Sequence, residues 1–573
     1  MKNAPITGDV GETILKLLKK NQAREEQIER SVVESKNRRD TFRKCCIEVE
    51  VKLYELDSAG IYDINEVNSL KELLQREVRR YGKALPIYAH RRDIMEVIKK
   101  HQVSVIIGET WSGKSTQLVQ YLNEAGYAEN GLIVCTQPRK LAAISLAEHV
   151  SSEVGEEVGG TYGYVSTKSK KGAGTNVLFM TDHTLLNECI ADPTLSKYSC
   201  LVIDEAHERS IHTDILIAFI KRCLPNRPDL KVIVTSATIN PTLFSTYFGS
   251  WHACPVIEVP GRMYPVQVQW ERYDQGSIVD RDYVLEAVNK VYDIHHTLSK
   301  KNKSGDILVF LTSPAEIERA CKLASDMLKN EATVLPLHGT LQPEEHRKIF
   351  AYTVRWKRKV VFATNVAETS VTIPGIVCVI DTGLSKELCY DAEKNMNSLE
   401  IRPISKSSAD QRKGRAGRTC PGECYRLYSE QDYADMRDDS VPEILRITLA
   451  FAVIKLFEFG IKDIHSFEFV ESPDRKALDK AIENLKFLGA IEEDKLTKLG
   501  RNMALLPLEP NLSKILFDAI ERGVGAEAAA AVAVSTLAGR VFFRPADMEM
   551  QEESDKKRLP FCQQSGDQMT YLH

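Results

Sequence analysis

The apolar run Val103–Ile107 leads directly into Gly108-Glu109-Thr110-Trp111-Ser112-Gly113-Lys114-Ser115-Thr116, and that juxtaposition restricts this part of the chain to a strand, a phosphate-cradling loop and a helix. Such a loop works by aiming the backbone N–H groups of Gly108–Thr116 and a helix N-terminus at one anion. Lys114 is spaced to reach the outer phosphates of a nucleoside triphosphate, and Ser115 to offer its hydroxyl to Mg²⁺. Trp111 is the odd member, since a small residue would let the turn close more easily.

A strand of this kind needs parallel neighbours, and the sequence supplies them. Short apolar runs at Leu132–Thr136, Val177–Met180, Cys200–Ile203 and Val232–Ser236 alternate with helical patterns, the texture of βαβ units on a parallel sheet. A second series follows at Asp306–Leu311, Thr333–Leu337, Lys359–Thr364 and Val377–Asp381. The expectation is two tandem α/β domains, over 86–258 and 259–440. Residues 441–507 read as a small helical or winged domain, and 508–573 as Ala-rich helix that ends without a polar tail. Ahead of them, residues 1–85 are charged and helical in pattern, with apolar positions such as Ile28, Val32 and Val33, and a second helix from Val67 to Arg80. A solvated helical extension is favoured there over a partner-binding or nucleic-acid-binding arm, because charge runs are usually surface.

Composition adds bounds. A chain of 573 residues is too long for one core. A net charge of -4 rules out a global basic footprint, so any nucleic-acid contact has to come from a local channel. The longest small-apolar run, Ala526–Val534, is interrupted by Glu527 and too short for a bilayer, which leads to the expectation of a soluble intracellular protein without a membrane. The thirteen cysteines are scattered, and their close pairs, Cys45/Cys46 and Cys420/Cys424, lack a second pair at zinc spacing, so reduced and mostly buried thiols are expected.

Two further stretches carry chemistry. The run Leu201-Val202-Ile203 ends in Asp204-Glu205-Ala206-His207, where an acid at the carboxyl end of a neighbouring parallel strand suits a Mg²⁺ carboxylate and the next acid suits a general base. Asp204 is thus the expected metal ligand and Glu205 the expected base. In Gln411-Arg412-Lys413-Gly414-Arg415-Ala416-Gly417-Arg418, arginines three residues apart would share one helical face and fork onto phosphate oxygens. Arg415 and Arg418 are read as arginine fingers and Gln411 as a water-orienting side chain. Arg412 and Lys413 remain open to a surface or RNA-contact role.

These stretches, with Thr136-Gln137-Pro138-Arg139-Lys140, Thr181-Asp182, Ser236-Ala237-Thr238 and Ala363-Thr364-Asn365-Val366-Ala367-Glu368-Thr369-Ser370, stand in an order that resembles the DEAH-box helicases of superfamily 2. Details such as Met180-Thr181-Asp182-His183 and Cys424–Glu430 look most like the plant members whose longer chains also carry a ring-between-ring module, and that cysteine-rich module is not found here. The resemblance implies two RecA-like parallel-sheet domains followed by a winged-helix domain and the start of a helical ratchet-like domain, with Gly383–Pro403 as a strand-separating hairpin. It implies an ATP-dependent RNA helicase that moves 3′ to 5′, using ATP or other nucleoside triphosphates and Mg²⁺. Ser236 and Thr238 would couple hydrolysis to movement, and Arg139, Thr181, Thr312, Thr364 and Asn365 would hold the RNA sugar-phosphate backbone. The nucleotide base would lie between Phe350 and His149, which stands where the family has arginine; Trp111 stands where it normally has glycine. The same resemblance leads us to expect a monomer in nucleus or cytoplasm, with organelles and an activating protein partner left open. Relatives continue into an oligonucleotide-binding barrel, and the chain stops before that point, so an RNA-gripping clamp or scaffold that does not unwind stays as the alternative.

Overall fold

Seven parallel strands form the first sheet in the order β3-β4-β2-β5-β6-β1-β7, with β1 Val103–Gly108, β2 Leu132–Gln137, β3 Tyr162–Tyr164, β4 Val177–Thr181, β5 Tyr198–Ile203, β6 Lys231–Ser236 and β7 Val256–Val259. The computed structural model describes residues 33–52, 54–55, 64–109, 112–165, 174–237, 242–250, 252–261, 264–271, 281–329, 331–339, 341, 349, 357–368, 373–391, 396–418, 420–506, 508–536, 548–564, 566 and 570. Both faces of a parallel sheet are covered, which is why β1 and β5 are buried along their whole length and read as unbroken apolar runs. The register Thr136↔Ile203 on one side of β2 and Gln137↔Thr181 on the other brings the carboxyl ends of β2, β4 and β5 level.

The second sheet has the order β10-β11-β9-β12-β15-β8, again parallel, from β8 Val266–Trp270, β9 Asp306–Phe310, β10 Ala332–Leu337, β11 Arg358–Ala363, β12 Ile376–Asp381 and β15 Gly422–Arg426. Between β12 and β15 the chain makes a long antiparallel hairpin, β13 Leu384–Asp391 with β14 Met396–Pro403, in which Leu384 pairs with Pro403 and Asp391 with Met396. A two-stranded wing, β16 Ile491–Glu492 with β17 Lys495–Leu496, sits among the helices Ala450–Glu458, Arg475–Phe487 and Lys498–Leu505. The expected α/β class with two parallel-sheet domains and a winged helix is what the chain adopts. The strands β3, β7, β8 and β15 were not among the runs expected: β3 is only three residues long, and β8 alternates partly buried and exposed positions as an edge strand does.

The chain forms two compact units, one of Met1–Thr181, Ser196–His207 and Leu224–Arg262, the other of Asp182–Leu195, Glu208–Cys223 and Met263–His573. The helices Asp182–Ala191 and Ile211–Cys223 therefore pack with the C-terminal part of the chain, although they lie within the first α/β stretch of the sequence. Phe219 stacks on Phe459 with ring centroids 3.3 Å apart, and the buried Lys455 donates to Asn187 Oδ1 at 3.1 Å and to the Ala504 carbonyl at 2.8 Å.

The charged N-terminal region is not simply solvated. Within the helix Ile64–Lys83, Glu77 and Arg80 are buried, and Arg80 donates to Glu77, Gln117, Gln120 and Glu124 at 2.6–3.2 Å. Arg91 joins the same carboxylates, its guanidinium 4.6 Å from the centre of the Tyr121 ring. In the helix over 33–52, Val49 is buried and Phe42 stacks on Tyr81 at 4.8 Å. Within 64–83 the buried charges have partners on the helix Lys114–Glu124, which no local pattern reveals. Ile28 and Val32 lie outside the described residues. All thirteen cysteines are free and most are buried, as expected.

Candidate functional site

The loop after β1 closes on small residues. A Cβ on Gly108 would meet Ser112 Oγ at 2.8 Å, and Gly113 sits at φ 89, left-handed, where it caps the helix Lys114–Glu124. The Ser112 amide donates to the Glu109 carbonyl at 3.1 Å, and the Ser112 carbonyl accepts from the Ile87 amide at 2.9 Å, which fixes the loop against the segment before it. Thr116 Oγ1 donates back to the Gly113 carbonyl at 3.4 Å. Lys114 is buried, its Nζ 3.3 Å from Glu205 Oε1.

Asp204 is fully buried one residue beyond β5. Its Oδ2 accepts from Gln137 Nε2 at 2.6 Å, its Oδ1 from the Thr235 hydroxyl, and Ser115 bonds to the same carboxylate. Burial pushes the Asp204 carboxyl above the usual range, Glu205 pushes it further, and Lys114 opposes the rise. Two buried carboxylates facing one lysine and a serine hydroxyl form a donor set that a divalent cation would complete. Glu205 holds φ 54, a left-handed conformation that costs a non-glycine residue about 1–3 kcal/mol and so needs the surrounding packing to persist.

One detail of the expected geometry changes. Asp204 is not on the strand next to β1, because β6 runs between β5 and β1. That inserted strand ends at Ser236, and through it the Ser236-Ala237 turn reaches the acidic loop: the Ala237 amide donates to His207 Nδ1 at 3.2 Å. An amide can only donate, so Nδ1 accepts and the proton sits on Nε2, which faces Glu205 Oε2 at 3.5 Å. Gln137, His207 and Thr235 are thus site residues that sequence reasoning did not select; each lies at or just beyond a strand end, which was the available signal.

The remaining candidates distribute along strand ends. Arg139 caps the helix Lys140–Val154 just past β2, and Thr181 ends β4 beside Gln137. In the second unit, Thr312 follows β9 and Thr364 follows β11, its neighbour in the sheet; Asn365 is exposed. Thr312 Oγ1 donates to Glu316 Oε2 at 2.7 Å. His149 is exposed on the helix Lys140–Val154. Thr110, Trp111, Thr238 and Phe350 lie outside the described residues.

The arginine series does not occupy one helical face. The helix Lys406–Gly414 stops before Arg415, and Arg415–Gly417 form a turn, with Gly417 pressed against the Tyr264 carbonyl too closely for any Cβ. Gln411 is half-buried on that helix and Arg415 is buried, while Arg418 is partly exposed. Arg412, open to a surface or RNA role from sequence, is fully buried: it donates to Glu368 Oε2 at 3.1 Å and Asp381 Oδ1 at 2.9 Å and lies 4.8 Å from the Phe310 ring centre. It fastens the helix to the sheet, because a buried cation is tolerated only beside carboxylates.

Comparison with known proteins agrees with this arrangement. Residues 88–245 match the DEAD/DEAH box helicase family, 286–420 the helicase conserved C-terminal domain, and 481–508 the winged-helix helicase associated domain. The chain is 40% identical over 538 residues to the pre-mRNA-splicing factor ATP-dependent RNA helicase prp22 of Schizosaccharomyces pombe, covering 90% of this chain and 45% of that one. It is 41% identical to the ATP-dependent RNA helicase DEAH12, chloroplastic, of Arabidopsis thaliana, and 40% identical to its DEAH11 counterpart, covering 90% and 91% of this chain and 29% of each relative. The chain thus spans less than half the length of these curated relatives. Among the described residues no helix is long and apolar enough to cross a membrane. With the phosphate loop, the Asp204-Glu205-Ala206-His207 turn and the arginine motif in these positions, the chain belongs to the DEAH-box helicases.

Proposed function

We propose that the chain is an ATP-dependent RNA helicase or remodeller that couples hydrolysis to 3′-to-5′ movement along RNA. The observation that carries this reading is the convergence of Lys114, Ser115, Asp204 and Glu205 at the carboxyl end of the first sheet. Gly108, Glu109, Thr110, Gly113 and Thr116 cradle the phosphates, and Lys114 leaves Glu205 for the outer phosphates. Ser115 and Asp204 would hold Mg²⁺, which would neutralise phosphate charge there. Glu205 takes a proton from the attacking water, with His207 orienting its carboxylate; Gln411 positions that water, and Arg415 and Arg418 stabilise charge on the transferring phosphoryl group, a contribution of about 10³–10⁵ in rate. Ser236 and Thr238 couple the site to movement, and His149 and Phe350 flank the base.

RNA lies along Arg139, Thr181, Thr312, Thr364 and Asn365, a set of hydroxyls, an amide and a guanidinium suited to a sugar-phosphate backbone. The names of the relatives as ATP-dependent RNA helicases support that substrate class. The protein works as a monomer inside the cell, in nucleus, cytoplasm or an organelle, and an activating protein partner fits the same scheme. The deciding experiment is single-turnover unwinding of an RNA duplex with a 3′ tail, run beside bulk ATP hydrolysis. Unwinding that needs the 3′ tail and ATP supports the helicase. Hydrolysis without strand separation means a clamp, and absence of both means a scaffold.

A further inference from the structure

A groove of about 300 Å³ opens between the helices Ile64–Lys83 and Lys140–Val154. Arg80 and Gln120 form its buried floor, and Arg76, Arg79, Lys83 and His149 line its sides. Among the described residues of Gly108–Thr116, none lines it. The floor is rigid because all five Arg80 donors are spent on Glu77, Gln117, Gln120 and Glu124.

The sides are different. Arg79 is exposed and, like His149 and Ser152 in the same lining, has no hydrogen-bond or ion-pair partner among the described residues. Arg76 Nε is buried without a hydrogen bond, 3.8 Å from Glu124 Oε1. Lys83 is held by Glu153 at 2.6 Å, in an exposed pair that a competing anion could open. Around the floor, Arg76, Arg80, Lys83 and Arg91 pair with Glu77, Glu124 and Glu153, and Arg79 adds a further cation, so the concavity keeps an excess of positive charge.

We propose that this groove binds a small phosphorylated anion, at a site separate from the phosphate loop. Guanidinium groups present paired donors that match phosphate oxygens, and Ser152 can add a hydroxyl, while His149 at the edge of the groove is left to the nucleotide base. At roughly 30 Å³ per water the volume holds about ten waters, room for a pyrophosphate or a sugar phosphate but not for a folded segment.

Inorganic pyrophosphate titrated calorimetrically into the whole chain, in magnesium-free buffer with ADP at saturation, tests the site. The expected result is one-to-one binding that survives in Lys114→Ala and weakens at least tenfold in the double variant Arg76→Gln/Arg79→Gln, which keeps the buried Glu77–Arg80 pair. If the double variant does not fold, Arg79→Gln alone changes an exposed side chain and is expected to weaken binding at least threefold. Absence of binding, binding indifferent to these arginines, or binding lost with Lys114 or displaced by ADP overturns the proposal. Failure of ATP hydrolysis would leave this result standing, since neither arginine belongs to the hydrolytic site.

Discussion

Lys114 Nζ lies 3.3 Å from Glu205 Oε1, so the cation of the phosphate loop and the candidate base neutralise each other inside a buried site. A triphosphate has to take Lys114 from that pair, and the freed carboxylate can then accept a proton. Glu205→Gln is expected to lower RNA-stimulated hydrolysis by about 10²–10⁴-fold. Lys114→Ala is expected to abolish it together with nucleotide binding. Phosphate release under saturating ATP, with a melting curve for each variant, checks both, and undiminished turnover in either removes the assignment.

Arg412 should behave unlike its neighbours in the arginine motif. Replacing it with Ala leaves Glu368 and Asp381 buried without their cation, at a cost of about 3–5 kcal/mol. Lys413→Ala, whose pair with Asp410 is partly solvated, should cost under about 1 kcal/mol. Urea denaturation of the two variants separates these outcomes, and equal midpoints would contradict the buried role.

His212 makes the stability of the second unit sensitive to acid. Burial, with His183 at 4.8 Å between ring centres and Lys455 nearby, holds its imidazole down to about 4. The unfolded chain binds a proton below the ordinary value of about 6.5. Between those two pH values the unfolded state therefore carries the extra proton, and stability falls as pH falls, by about 3 kcal/mol in all. His212→Phe is expected to flatten this slope, measured as denaturation midpoint against pH; an unchanged slope means another group titrates.

Arg80→Ala should loosen the N-terminal helix Ile64–Lys83, because Glu77 and Glu124 lose one of the two arginines they share, Arg91 remaining, and Gln117 and Gln120 lose a buried donor. A loss of about 1–3 kcal/mol is expected. Hydrogen exchange should accelerate over 64–83 and in the helix Lys114–Glu124. Protection unchanged in both would show that the helix docks by its apolar face alone.

Trp111→Gly is expected to raise nucleotide affinity by up to about tenfold if the position needs a left-handed backbone, which costs a non-glycine residue about 1–2 kcal/mol. Nucleotide titration decides it, and a lower or unchanged affinity means that the indole is accommodated.

The phosphate loop and the acidic turn after β5 were legible as patterns from residues alone, since each is a short local stretch at the end of a buried strand. The buried strands were legible for the same reason: parallel strands covered on both faces must be apolar throughout. Tertiary structure alone decided the rest. It placed β6 between β1 and β5, joined His207 to Ala237 across that strand, buried Arg412 where an equal spacing had suggested a shared exposed face, and turned Arg80 from surface charge into a buried tie. Whether a charged side chain is solvent, ligand or fastener depends on what residues far along the chain bring to it, here Asp381 for Arg412 and Glu124 for Arg80, and burial of a charge is affordable only where such a partner arrives.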